Sequence, residues 1–103
     1  MDLQDAIAIA EEYAKVVKSK FNSVRLVLFG SCVKGTYRTE SDIDIAVILK
    51  DYSSLVETQL DLMRLRRGID SRIEPHPFRE RDFNNSNPLA NEILSHGQDI
   101  VIH

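Results

Sequence analysis

The sequence predicts an α/β (α+β) fold, a small mixed sheet with helices packed mainly on one face. Three observations lead there. Two β-branched, apolar runs, Val24–Phe29 and Ile43–Leu49, read as strands. Helical periodicity precedes them, with Leu3, Ala6, Ile7, Ala10, Ala14 and Val17 at three- and four-residue steps, and returns after Ser54. The composition is 43% hydrophobic and 28% charged over 103 residues, which suits one folded domain, 1–103, and is too apolar for a disordered chain.

Each element has its own signal. Asp2 is placed to cap the first helix, and Lys18 and Lys20 suit its C-terminal dipole. Val24–Phe29 is apolar on both faces except at Arg25, as a central strand should be. A short helix, Ser31–Tyr37, and a polar turn, Arg38–Ser41, connect it to Ile43–Leu49. To bring Ser31 near Asp42, the two strands must run antiparallel. In the second, Ile43, Ile45, Val47 and Leu49 should meet the helices, while Asp42, Asp44, Ala46 and Ile48 form the floor of an open cleft. Ser54-Leu55-Val56-Glu57 fits a capping box that opens a helix to about Arg67. Val56, Leu60 and Met63 are its expected main apolar stripe, widened by Leu55, Leu62 and Leu65. Ile69–Glu74 reads as a third strand, stopped by Pro75-His76-Pro77. Phe78–Phe83 reads as a helical turn. Asn87-Pro88 caps a last helix with Ala90, Ile93 and Leu94 inward, and Ile100–Ile102 is a short final strand or packed tail.

The chemistry concentrates where the first strand ends and the second begins, in Gly30-Ser31, ten residues, then Asp42-Ile43-Asp44. Glycine at a strand exit lets a ligand approach the backbone, and serine at a helix start offers a hydroxyl beside N–H groups that suit phosphate. Asp42 and Asp44, two apart in a strand, present both carboxylates to one face. Such a pair repels itself unless a cation lies between, and an oxygen-seeking Mg²⁺ does this while bridging to substrate phosphates. The combination points to nucleoside triphosphate chemistry. Lys34 and Arg38 follow Ser31; each is suited to neutralise phosphate charge and equally to a plain surface position.

Gly30-Ser31…Asp42-Ile43-Asp44, with Leu28-Phe29 and Ser41 beside it, resembles the signature of the polymerase-β-like nucleotidyltransferase superfamily. The small size resembles its minimal nucleotidyltransferase (MNT) branch, the antitoxin partner of HEPN toxins. The resemblance covers roughly residues 24–78. It implies a single-domain nucleotidyltransferase fold that moves NMP, most simply AMP from ATP or another NTP, to a hydroxyl of a HEPN-type partner protein. It also implies a two-metal Mg²⁺ site and a third carboxylate on a neighbouring strand. That role goes to Glu74, although the family often has aspartate there, with Asp70 on the same strand face as the alternative. Asp42, Asp44 and Glu74 are then the catalytic and metal-holding residues, and Gly30, Ser31, Lys34 and Arg38 bind the nucleotide.

Several classes are disfavoured. A net charge of −3, with a pI near 5.5, argues against nucleic acid as a direct partner. The single cysteine, Cys32, excludes an internal disulfide framework and fits a reducing cytoplasm. Met1-Asp2-Leu3 opens acidic and polar, so no signal peptide is expected, and no apolar run approaches the roughly 20 residues of a membrane span. His76, His96 and His103 form no metal triad, and no histidine accompanies Ser31 or Cys32 as a nucleophile set. So short a chain leaves little to recognise an elaborate acceptor, so a protein acceptor, or a homo-oligomer completing the site, is expected. The competing functions are a non-catalytic antitoxin acting by occlusion and an antibiotic-type nucleotidyltransferase.

Overall fold

The computed structural model describes residues 2–22, 24–36 and 41–101. The elements run α1 (Leu3–Lys20), β1 (Val24–Phe29), α2 (Ser31–Lys34), β2 (Ile43–Leu49), α3 (Leu55–Leu65), β3 (Ile73–Arg79), a 3-10 turn (Glu80–Asp82), α4 (Pro88–His96) and β4 (Gln98–Ile100). The sheet order is β3-β2-β1-β4. β1 lies antiparallel to β2 and β4, while β2 and β3 are parallel, so the sheet is mixed as expected.

Asp2 caps α1 reciprocally with Asp5, its carboxylate accepting from the Asp5 N–H at 2.9 Å. The buried stripe of α1 is Ala6, Ala10, Tyr13, Ala14 and Val17, so small alanines let the helix lie close against the sheet. Tyr13 was not in the expected stripe. Its hydroxyl donates to the Leu62 carbonyl of α3 at 2.7 Å, fastening the two helices together, and burial raises its pKa. Ile43, Ile45, Val47 and Leu49 meet α1 and α3, as their alternation requires.

β3 departs from expectation. It begins at Ile73, not Ile69, and runs through both prolines to Arg79. In a strand, each residue turns its N–H and C=O to the same side, and β3 is an edge. The Ile73 and Pro75 carbonyls face outward, where they accept from Arg66 at 2.8 Å and Gln59 at 3.0 Å. The positions without an N–H therefore lie on the unpaired side, where they also block pairing with another strand. Phe78 is consequently a strand residue, and the helical turn is confined to Glu80–Asp82.

Smaller corrections follow. α2 stops at Lys34, capped by Gly35 in the left-handed region, and the Tyr37 expected to end it lies outside the described residues. α3 stops at Leu65 and buries Thr58 and Leu62; Leu55, Val56 and Leu60 are exposed. Its inward face is rotated from the expected stripe, and buried Thr58 is satisfied by donating its hydroxyl to the Ser54 carbonyl at 2.7 Å. Leu94 of α4 is exposed, and β4 starts earlier, at Gln98. α4 lies against the carboxylate-bearing face of the sheet. There Ala90 and Ile93 pack with Val27, Ala46, Ile48 and Phe78, so α4 covers the half of that face away from Asp44.

Candidate active site

Sheet register assembles the site. Phe29 of β1 pairs with Asp44 of β2, and Asp44 pairs with Glu74 of β3, so the three side chains form one row across the sheet. Val27, Ala46 and His76 form the next row. Asp42 lies just before β2, two residues ahead of Asp44. Asp44 and Glu74 are half-buried and Asp42 is exposed. Among the described residues, no three histidine, cysteine or acidic side chains converge as a preformed metal cluster. Register does set two carboxylates, Asp44 and Glu74, side by side, and oxygen donors of that kind suit a hard cation.

Gly30 caps α2 with φ 80° and ψ −150°, backbone that other residues rarely adopt. A Cβ there would lie 2.5 Å from Asp44 Oδ2 and 3.3 Å from its Cγ. The turn therefore presses its backbone against the carboxylate, which joins Gly30 to the row of Asp44 and Glu74. Ser31 is half-buried at the first position of α2. Cys32 is buried, and its thiol faces the Asp42 carbonyl at 3.9 Å. Burial, with the nearby Asp44 charge, pushes the thiol pKa up, so Cys32 is a packing residue and not a reactive one.

Lys34 is exposed, and its ammonium bonds Glu92 of α4 at 2.6 Å. That bond, reinforced by attraction to Lys34, lowers the Glu92 pKa. Arg38 lies outside the described residues. Asp70 does not share the strand face of Glu74. It lies in the turn before β3, where it binds Arg72 in a fork, Nε to Oδ1 at 2.9 Å and Nη2 to Oδ2 at 2.7 Å. The hydrogen bond from Arg72 holds the Asp70 carboxyl below its usual range. Asp70 is thus spent on a turn, and Glu74 sits beside Asp44. One residue with no role in the sequence motif joins the site in the structure: His76 Nε2 lies 3.0 Å from Asp44 Oδ1. Its signal was masked by the flanking prolines, which suggested a turn.

The nucleotidyltransferase domain family model matches residues 10–100. The chain belongs to that family. It is 36% identical over 59 residues to a Methanocaldococcus jannaschii protein provisionally named a protein adenylyltransferase, covering 53% of this chain and 58% of that relative. The domain thus matches less than two thirds of the relative's length. Among solved structures, a chain of a toxin–antitoxin complex with AMP-PNP superposes with a TM-score of 0.68 at 24% identity, covering 90% of this chain and 73% of that one. A chain of the complex between tri-AMPylated Shewanella oneidensis HEPN toxin and MNT antitoxin gives 0.63 at 19% identity, covering 98% and 73%. These likenesses establish the nucleotidyltransferase fold. No described helix is long and apolar enough to cross a membrane.

Proposed function

We propose that this nucleotidyltransferase domain transfers AMP from ATP to a hydroxyl of a partner protein, as an MNT-type antitoxin acting on a HEPN-type toxin. The observation that carries it is the contact of the Gly30 turn with Asp44, in register with Glu74. A glycine turn suited to phosphate and an acidic row meet where β1 ends and β2 begins. The superposed complexes, one with AMP-PNP and one with an AMPylated toxin, support the nucleotide and the acceptor. On this reading residues 1–103 act as one domain.

Asp42, Asp44 and Glu74 would hold Mg²⁺, which supplies charge neutralisation at the phosphates and activation of the acceptor oxygen. Gly30 and Ser31 receive the phosphates on backbone and hydroxyl. Lys34 joins them on leaving Glu92, since an exposed ion pair is readily exchanged for a phosphate. The acceptor oxygen bonds to the α-phosphorus, the bond to the bridging oxygen breaks, and pyrophosphate departs. Glu74 accepts the proton of the attacking hydroxyl. Among the described residues, Asp44 and Glu74 keep part of their surface exposed beside α4, which would admit a protruding side chain such as tyrosine.

Incubation with ATP, Mg²⁺ and the co-expressed partner, followed by peptide mapping, tests this. An AMP-sized mass gain on a partner hydroxyl that disappears in Asp44→Asn is expected. A partner neutralised equally by Asp44→Asn, with no nucleotide on either chain, would establish occlusion instead. Transfer to a free aminoglycoside but not to protein would indicate the antibiotic-type reaction.

A further inference from the structure

Asp44 is approached from two sides. Its Oδ2 lies toward Gly30, close enough that a Cβ there would stand 2.5 Å away. Its Oδ1 lies 3.0 Å from His76 Nε2. An ionised carboxylate only accepts, so Nε2 carries the hydrogen in this contact. His76 arrives there because of three features of the sheet. Its row partner is Ala46, whose methyl leaves room for the imidazole to lean one row along toward Asp44. Phe29 meets the ring edge-on, with centroids 5.0 Å apart and planes at 63°. Pro75 and Pro77 flank it, and their fixed φ stiffens the strand carrying it.

We propose that His76 is a positioning residue for the metal site: by donating to Asp44 Oδ1, it fixes the carboxylate plane so that Oδ2 is the oxygen presented toward Gly30 and the phosphates. Hydrogen bonds of this kind orient ligating carboxylates, and losing one typically weakens metal affinity about 10–100-fold. His76 acts through Asp44 and takes no part in bond making.

The inference rests on the metal-dependent reading given above, and its test separates the two. The probe is Mn²⁺ alone, titrated into the nucleotide-free protein by calorimetry or electron paramagnetic resonance, with thermal denaturation to verify folding. His76→Leu should weaken Mn²⁺ binding about 10–100-fold. His76→Gln, whose amide N–H reaches the place of Nε2, should recover most of it. Should His76→Leu not fold, Phe29→Leu replaces it; with the ring's brace removed and its N–H kept, a smaller weakening is expected. Wild-type affinity in the folded His76→Leu protein, or no recovery in His76→Gln, would overturn the proposal, the second by showing that only ring packing matters. Asp44→Asn is the control. If it abolishes binding while His76→Leu does not, the His76 assignment fails alone. If it binds Mn²⁺ like wild type, the metal reading itself fails.

Discussion

The sharpest perturbation is Gly30→Ala, because the structure separates its effects on backbone and site. Alanine must adopt φ 80° and ψ −150°, which costs about 1–3 kcal/mol in so sparsely populated a region. The methyl must also displace Asp44 Oδ2, which would otherwise lie 2.5 Å away. Gly35→Ala is the matched control. Its φ is 78° with ψ 12°, ordinary left-handed helical space, and nothing lies within 4 Å of its Cβ. It should cost about 1 kcal/mol. A loss of 1 kcal/mol lowers Tm by roughly 4–8 °C in a domain of this size. Calorimetry should therefore give Gly30→Ala the larger fall in Tm, with Mg²⁺–ATP affinity lost, and Gly35→Ala the smaller, with affinity kept. A double-mutant cycle isolates the clash. Against Asp44→Ala, which removes the opposing carboxylate, Gly30→Ala should become less costly by about 0.5–3 kcal/mol. Equal costs in both backgrounds, or intact nucleotide binding in Gly30→Ala, would refute the claim that the loop is built against Asp44.

Other outcomes follow from single contacts. Tyr13→Phe removes the buried hydrogen bond to the Leu62 carbonyl and should cost about 1 kcal/mol, measured by urea unfolding. Asp70→Asn should destabilise at neutral pH, since the fork to Arg72 needs the ionised carboxylate. The lowered folded pKa makes this contribution full above the unfolded value of about 3.9 and lost as pH falls through the folded one, so wild type and variant should converge in acid denaturation only below that folded pKa. Asp42→Asn with Asp44→Asn should abolish Mg²⁺-dependent ATP binding without lowering Tm, because like charges at one site do not stabilise a fold. Glu92→Gln should release Lys34 and tighten ATP binding, whereas Lys34→Met should loosen it; a titration in which neither changes would leave Lys34 to the surface.

Features that depend on local chemistry and periodicity were legible along the chain. The alternation in Ile43–Leu49 separates the face that packs on α1 and α3 from the face that carries Asp44, because the side-chain period of a strand is two. Caps at Asp2, Ser54 and Asn87 set three helix starts through side-chain bonds within a few residues. The antiparallel pairing of β1 and β2 follows from the need to join Ser31 to Asp42. Tertiary structure decided what depends on neighbours absent from the local sequence. Pro75 and Pro77 read as a stop, yet the strand continues through them because β3 is an edge whose missing donors point away from β2, a fact only sheet order supplies. The point where pairing starts chose between two carboxylates that the sequence left close: β3 begins only at Ile73, which leaves Asp70 in a turn with Arg72 and sets Glu74 beside Asp44. It also carried His76 to Asp44 across 32 residues of chain, since hydrogen-bond partners between strands are fixed by pairing and not by spacing along the backbone.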